Sequence, residues 1–147
     1  MKLNKDCVRL VLIYIEEHCV YQEDKFGDRK MHIVNLYEIT QSKELSGFHE
    51  DDIRYTIVKL LEGNYIEGSF IPKNSGLNFQ IVQITQLTLR GHDLLDNIRP
   101  EPVWNKTKGI LHKVGDFSLG VMSQVAGETM AAYTKSMLNL NQQTIIY

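Results

Sequence analysis

The first twenty residues place apolar side chains at helical spacing. Val8, Val11, Leu12 and Ile15 recur at i, i+3, i+4 and i+7, which is the pattern of a helix that buries one face. Asn4 stands immediately before this stretch, where an N-cap residue belongs. The pattern therefore predicts a helix over residues 5–19.

From residue 20 to residue 99 the chain alternates between polar segments and short apolar runs. This pattern predicts a polar loop over 21–30, a short strand over 31–34, a helix over 36–41, a turn over 42–48 and a helix over 50–62. It then predicts strands over 65–71 and 77–87 and a helix that starts at Thr88. Pro, Lys, Asn, Ser and Gly at 72–76 predict a long turn between the two strands. This order is the outline of a winged helix-turn-helix domain, so we predict an α+β fold with that domain over residues 1–99.

Pro100 and Pro102 interrupt the chain and mark the predicted end of this domain. The spacing that follows predicts a helix beginning near Pro102 and a longer helix from Ser118 to about residue 140, with residues 139–147 frayed. Residues 100–147 are therefore predicted to form a C-terminal two-helix extension for packing or oligomerisation.

Charge narrows the class of partner. The formal net charge is -2, and residues 1–98 hold eleven Lys and Arg against fifteen Asp and Glu. A dedicated DNA-binding domain is usually basic. The acidic balance of the predicted winged helix therefore favours a protein partner over DNA.

The cysteines and the apolar runs indicate the cellular compartment of the protein. Cys7 and Cys19 lie on the first predicted helix, and twelve residues of helix separate them by about 18 Å. A disulfide requires Cα atoms within about 7 Å, so the two thiols are predicted to stay reduced. Charged residues enter before any signal-peptide h-region, and no apolar run reaches about 18 residues. We therefore predict a cytoplasmic protein.

Several segments resemble known bacterial sequences. Residues 87–91, Leu-Thr-Leu-Arg-Gly, are similar to a Leu-Thr-x-x-Gly motif of bacterial winged-helix proteins that fixes a strand-to-helix corner. Residues 1–9 (MKLNKDCVR), 87–99 (LTLRGHDLLDNIR) and 103–108 (VWNKTK) resemble a family of small proteins from Firmicutes and their phages, a domain of unknown function of the DUF2513 type. The resemblance implies a bacterial or prophage origin and a winged-helix core, and it implies no activity, ligand or catalytic residue.

The helix over residues 50–62 is the predicted recognition helix. Glu50, Asp51 and Asp52 in its first turn would repel a phosphate backbone, although acids at this place also simply stabilise the positive end of the helix dipole. The predicted partner-binding residues lie on this helix, just before it and on the hairpin turn: His49, Arg54, Tyr55, Lys59 and Lys73.

The last predicted helix carries a ridge of small residues. Ser123, Gly127 and Ala131 are spaced by four, which lets two helix backbones approach closely. The ridge predicts either a homodimer or packing onto the first helix of the same chain. A helix lying on a membrane is disfavoured because the polar face lacks an excess of Lys and Arg. Trp104, on the preceding helix, is predicted to anchor that helix to the winged helix.

The sequence offers no catalytic constellation. The histidines and cysteines form none of the spacings of metal sites, and no nucleophile or phosphate-binding motif is present. We therefore predict no catalytic residue, metal or cofactor. The predicted function is that of a non-enzymatic binding protein that docks on a macromolecule, with protein favoured. The alternative is a dimeric DNA-binding transcriptional regulator.

Overall fold

The computed structural model describes residues 1–70, 82–115 and 117–145. They form two compact units, the first over Met1–His92 and the second from Asp93 onward. Helices and small antiparallel sheets occur together, which confirms the predicted α+β class.

The helices and strands alternate through the first unit, and helices dominate the second. The helices are α1 (Lys5–His18), α2 (Leu36–Thr40), α3 (Glu50–Glu62), α4 (Leu89–Ile98), α5 (Glu101–Val114) and α6 (Leu119–Ile145). The described strands are β1 (Tyr21–Glu23), β2 (Arg29–Met31), β3 (Val34–Asn35), β4 (Ile66–Phe70) and β5 (Val82–Leu87).

The larger sheet of the first unit has the strand order β3-β5-β4, with both pairings antiparallel. Val34 faces Ile84, and Ile66 faces Leu87, so apolar residues line one side of the sheet. Val82 and Ile84 are buried whereas Gln83 is exposed, as the predicted alternation requires. Leu87 is out of this alternation and is buried as well, because the register between β4 and β5 shifts at Glu67/Gly68. Residues 71–81, which carry the rest of the predicted hairpin, lie outside the described residues.

The core of the first unit joins one face of α1, one face of α3 and the inner side of this sheet. The predicted apolar residues of α1 are all fully buried, and Ile53, Ile57 and Leu60 of α3 are buried with them. The helical spacing of Ile53, Ile57, Leu60 and Leu61 predicts that all four are buried, but Leu61 is only half-buried. The helical phase read from the sequence is therefore confirmed, and the buried face of α3 is narrower than predicted.

The sequence places a side-chain acceptor before four predicted helices, which predicts N-caps at Asn4, Asn35, Thr88 and Ser118, and all four are confirmed. Each accepts a hydrogen bond on its side-chain oxygen from a backbone N–H in the first turn of its helix, at 2.7–3.1 Å: Asn4, Asn35, Thr88 and Ser118. These bonds satisfy N–H groups that have no partner within the helix, and so they define where α1, α2, α4 and α6 begin.

Thr88 also ties the start of α4 to the end of α3. Its hydroxyl donates to Asn64 O at 2.5 Å, and its backbone N–H donates to Tyr65 O at 3.1 Å. Gly91 lies so close to this carbonyl that a Cβ there would stand 1.9 Å from Tyr65 O. The Leu-Thr-x-x-Gly motif is therefore a close backbone contact between two corners of the chain, with the glycine required by space. We call Asn64, Tyr65, Thr88 and Gly91 the Thr88 corner.

The pair Gly63-Asn64 predicts a left-handed end to α3, and the structure confirms it at Asn64. The left-handed residue is Asn64, with φ 59°, whereas Gly63 has φ -83°. Asparagine tolerates this conformation better than most residues do.

Residues 21–30, predicted as a loop, contain most of a hairpin instead. β1 pairs with β2 in antiparallel register, with Tyr21 opposite Met31 and Glu23 opposite Arg29. Asp24 holds the turn, because its carboxylate accepts from the N–H groups of Phe26 and Asp28. Both strands are largely exposed, so this hairpin leaves no apolar alternation in the sequence. The strand predicted over 31–34 is correspondingly split between β2 and β3.

The last helix is longer than predicted. Residues 139–145, predicted to fray, continue α6 to Ile145. No proline or glycine follows Gly127 within α6, and each added residue extends the helix by one backbone hydrogen bond without a new nucleation step.

Candidate docking surface

The outer face of α3 is the candidate docking surface of the first unit. Ile53, Ile57 and Leu60 point into the core, which turns Arg54 outward at an exposed position. The acidic residues Glu50 and Asp51 at the start of the helix are exposed as well. We define the α3 face as the exposed and half-exposed side chains from His49 to Glu62.

The start of this face is organised by two local contacts. The ring nitrogen Nδ1 of His49 accepts from Asp51 N at 3.1 Å and lies 3.5 Å from the Asp51 carboxylate. Gln41 Nε2 donates to Glu50 Oε1 at 2.7 Å, which links the end of α2 to the start of α3. His49, predicted to bind a partner, is therefore the N-cap of α3, and its side chain remains 73% exposed.

Tyr55, Lys59 and Glu62 form a connected group further along α3. Lys59 Nζ lies 3.0 Å from Glu62 Oε2 and 5.5 Å from the centre of the Tyr55 ring. The hydrogen bond to Glu62 and the charge of that carboxylate raise the pKa of Lys59. The structure thus brings the predicted residues Tyr55 and Lys59 together, with a carboxylate beside the cation.

Arg54 differs from Lys59 in its surroundings. It is exposed on α3, and no described residue forms an ion pair with it. Its guanidinium offers five N–H donors in a planar arrangement suited to a carboxylate or a phosphate. Lys73, the remaining predicted partner-binding residue, lies outside the described residues.

Two exposed aromatic residues of the first unit were not predicted from the sequence. Tyr37 on α2 is 76% exposed, and Phe26 at the turn of the β1–β2 hairpin is 80% exposed. A signal for Tyr37 was available, because Leu36 and Ile39 flank it at the spacing of one buried face. Phe26 offered none, since its hairpin was not predicted.

The two thiols and two of the histidines, His18 and His32, form local contacts within the first unit. Cys7 and Cys19 are both buried and unpaired, and burial raises the pKa of each thiol. Thiolate formation at neutral pH is therefore disfavoured. The His18 ring stacks on Tyr14, and His32 Nε2 lies 2.8 Å from Glu38 Oε1. Within residues 1–70, 82–115 and 117–145, no three His, Cys, Asp or Glu side chains lie close enough together to hold a metal ion.

The second unit contains the residues of the predicted small ridge. Ser123 and Gly127 are half-buried on α6, and Ala131 is exposed. A Cβ on Gly127 would lie 3.8 Å from Asn97 Nδ2, so the middle of the ridge already neighbours α4 of the same chain. Trp104 is 3% exposed, with Lys108 Nζ 5.5 Å from its ring. Among the described helices, none combines the length and the hydropathy needed to cross a bilayer.

The geometry defines a small α+β protein with a compact, helix-bearing first unit and a helical second unit. Residues 2–116 match the model of the family described as "Hypothetical protein (DUF2513)". The chain therefore belongs to the DUF2513 family, which confirms the predicted resemblance. It is also similar to an uncharacterized protein of Haemophilus influenzae, with 30% identity over 127 residues that span 86% of this chain and 92% of the relative. No solved structure matches the chain.

Proposed function

We propose that residues 1–99 form a winged helix that docks on a protein partner through the α3 face, without catalysing a reaction. The element order α1-β3-α2-α3-β4-β5 and the sheet order β3-β5-β4 support the winged helix. In that arrangement α2 and α3 form the helix-turn-helix, and α3 occupies the place of the recognition helix. The β1–β2 hairpin is an addition between α1 and β3.

The charge pattern of α3 is the observation that carries the choice of partner. Four carboxylates on this helix, Glu50, Asp51, Asp52 and Glu62, stand against the two cations Arg54 and Lys59. Glu62 compensates the charge of Lys59 at 3.0 Å. Binding to a phosphate backbone depends on cations that replace its counterions, so this face is poorly suited to DNA.

A protein partner fits the same side chains better. Arg and Tyr are enriched among the residues that dominate binding energy in protein interfaces, and Arg54 and Tyr55 are neighbours on α3. The exposed carboxylates at the start of α3 can pair with cations of the partner, which gives specificity and faster association. The bacterial relative is compatible with a bacterial host, and the link to phages remains a prediction.

The test compares three forms of the full chain as bait in a bacterial lysate: wild type, Arg54→Glu and Lys113→Glu. Lys113 lies exposed near the end of α5 in the second unit, so its substitution makes the same change of net charge on a different helix. A partner that docks on α3 is expected to lose affinity for Arg54→Glu by about tenfold or more and to bind Lys113→Glu as it binds wild type.

The same three forms are titrated with duplex DNA by fluorescence anisotropy at low and high salt. Weak binding that the two substitutions change equally is the expected result. Tight binding at low salt that falls steeply with salt and is lost only in Arg54→Glu would favour the DNA-binding regulator instead. If neither a protein nor DNA depends on Arg54, the α3 face is not the docking surface.

A further inference from the structure

Helix α6 is much longer than the helix it packs against. α5 has 14 residues and α6 has 27, which at 1.5 Å per residue correspond to about 21 Å and 40 Å. The two helices are consecutive, lie close in sequence and pack together, so they run side by side in opposite directions. The second half of α6 therefore extends past the reach of α5.

The burial along α6 follows this difference in length. Leu119, Met122, Ala126 and Thr129 are buried, and every residue from 131 to 141 is exposed. The apolar stripe does not stop where burial stops. It continues through four residues that we call the C-terminal stripe: Met130, Tyr133, Met137 and Leu140.

The spacing within the C-terminal stripe is that of a coiled-coil seam. Its members follow one another by three, four and three residues, so Met130 and Met137 occupy a positions while Tyr133 and Leu140 occupy d positions. Tyr133, Met137 and Leu140 are 36%, 45% and 55% exposed. Met130 is half-buried, so three of the four seam residues are exposed. An a/d stripe of this kind fits the complementary stripe of another helix.

Charge placement indicates which helix fits. Between residues 128 and 145 the only charged residues are Glu128 and Lys135, and both fall on f positions, opposite the seam. The flanking e and g positions carry no charge from Thr129 to Asn141. Two identical helices often repel through like charges at these positions. Here no like charge at the e and g positions opposes the pairing of the segment with its own copy.

We propose that the C-terminal stripe of α6 pairs with the same stripe of a second copy of this chain. The proposal does not depend on the proposed function, because it uses no residue of α3. It also differs from pairing through the small ridge, since Ala131 falls on a b position outside the seam and Gly127 already neighbours Asn97. A membrane surface fits less well, because amphipathic membrane helices carry several Lys and Arg on the polar face and this segment has only Lys135.

Leu138 and Leu140 provide a matched pair for the test. They are 56% and 55% exposed on the same helix, yet only Leu140 lies on the seam. Leu138→Lys and Leu140→Lys therefore make the same chemical change at equal exposure. The full-length wild type and both variants are compared by sedimentation equilibrium from low micromolar to near-millimolar concentration, with circular dichroism to check helix content.

Wild type is expected to reach twice the 17.0 kDa mass of one chain. Leu140→Lys is expected to weaken the dimer by about a hundredfold or more, because a buried leucine is lost from each copy. Leu138→Lys is expected to stay within about threefold of wild type. A wild type that remains monomeric, or variants that weaken association equally, would overturn the proposal. Dissociation by Ala131→Lys together with an intact Leu140→Lys dimer would overturn it in favour of the small ridge.

Discussion

Replacement of Gly91 by alanine is expected to destabilise the first unit. A Cβ at this position would lie 1.9 Å from Tyr65 O and 3.0 Å from the Tyr65 carbonyl carbon. Both obstacles are backbone atoms, so no flexible side chain can move aside. The start of α4 or the end of α3 must therefore shift by roughly an ångström, which is the overpacking that costs proteins stability.

The magnitude follows from the contacts of the Thr88 corner. Overpacking of this kind costs about 1–3 kcal/mol. The shift also weakens the bonds from Thr88 N to Tyr65 O and from Gly91 N to Thr88 Oγ1, both 3.1 Å, and a typical hydrogen bond contributes about 1 kcal/mol. Alanine regains up to about 1 kcal/mol through its helix propensity. The net expectation is a loss of about 1–3 kcal/mol in the free energy of unfolding.

Gly109 provides the matched control. It lies inside α5, and a Cβ there would meet nothing within 4 Å. Gly109→Ala is therefore expected to stabilise the protein by about 0.5–1 kcal/mol through helix propensity alone. Urea denaturation followed by far-UV circular dichroism measures both variants. If Gly91→Ala is as stable as wild type, or shifts in the same direction as Gly109→Ala, the close approach at the Thr88 corner does not constrain the fold.

Three further predictions concern a cap, the thiols and a tyrosine. Asn4→Ala removes the acceptor for Cys7 N at 3.1 Å and is expected to cost about 1 kcal/mol in urea denaturation, while Asn4→Asp keeps most of the stability; equal losses would contradict the cap. Because burial raises the pKa of the Cys7 and Cys19 thiols, native protein is expected to react slowly with a disulfide reagent and denatured protein quickly; equal rates would contradict it. Burial, aided by Glu38 and Glu44, raises the pKa of Tyr14 from 10.0 to about 12. Its contribution to stability is therefore fully present below pH 10.0 and is lost as the pH rises to about 12. Tyr14→Phe is expected to flatten this loss in pH-dependent denaturation, and an unchanged slope would assign the loss to other groups.

The parts of the fold that could be predicted are those encoded by neighbours in sequence. A cap bond such as that from Cys7 N to Asn4 spans three residues, and the buried face of α1 repeats every three or four. These signals survive in any tertiary context because their geometry is local. The bounds of α3, residues 50–62, follow from the same kind of signal.

The β1–β2 hairpin shows where such reasoning fails. Its strands have three residues each and are largely exposed, so packing selects no apolar side chain on one face. What holds the hairpin is backbone pairing together with the Asp24 carboxylate at the turn. Almost every residue type can form backbone hydrogen bonds, so a hairpin held by them has no characteristic amino-acid composition.

Only part of the α3 face could be predicted from the sequence, for the same reason. Once Ile53 and Ile57 are assigned to the core, helical geometry turns Arg54 outward without further information. The pairing of Lys59 with Glu62 at 3.0 Å depends on rotamers, since the spacing of three residues allows the contact without requiring it. The net charge of the α3 face could therefore be predicted from the sequence. The ion pair in which Glu62 neutralises Lys59 could be found only in the structure.

The sequence of α6 shows that the helix has an apolar stripe, but it does not show which part of the stripe is buried. Periodicity identifies an apolar stripe from Leu119 to Leu140, and it does so equally well where the stripe is buried and where it is exposed. What covers each part depends on the length of the neighbouring helix, which the stripe does not encode. Because α5 ends after 14 residues and α6 continues for 27, the second half of the stripe needs a cover that α5 is too short to supply. The flanks of that half carry no charge that would repel an identical helix. Comparison of Leu138 with Leu140 distinguishes pairing through this seam from nonspecific hydrophobic association.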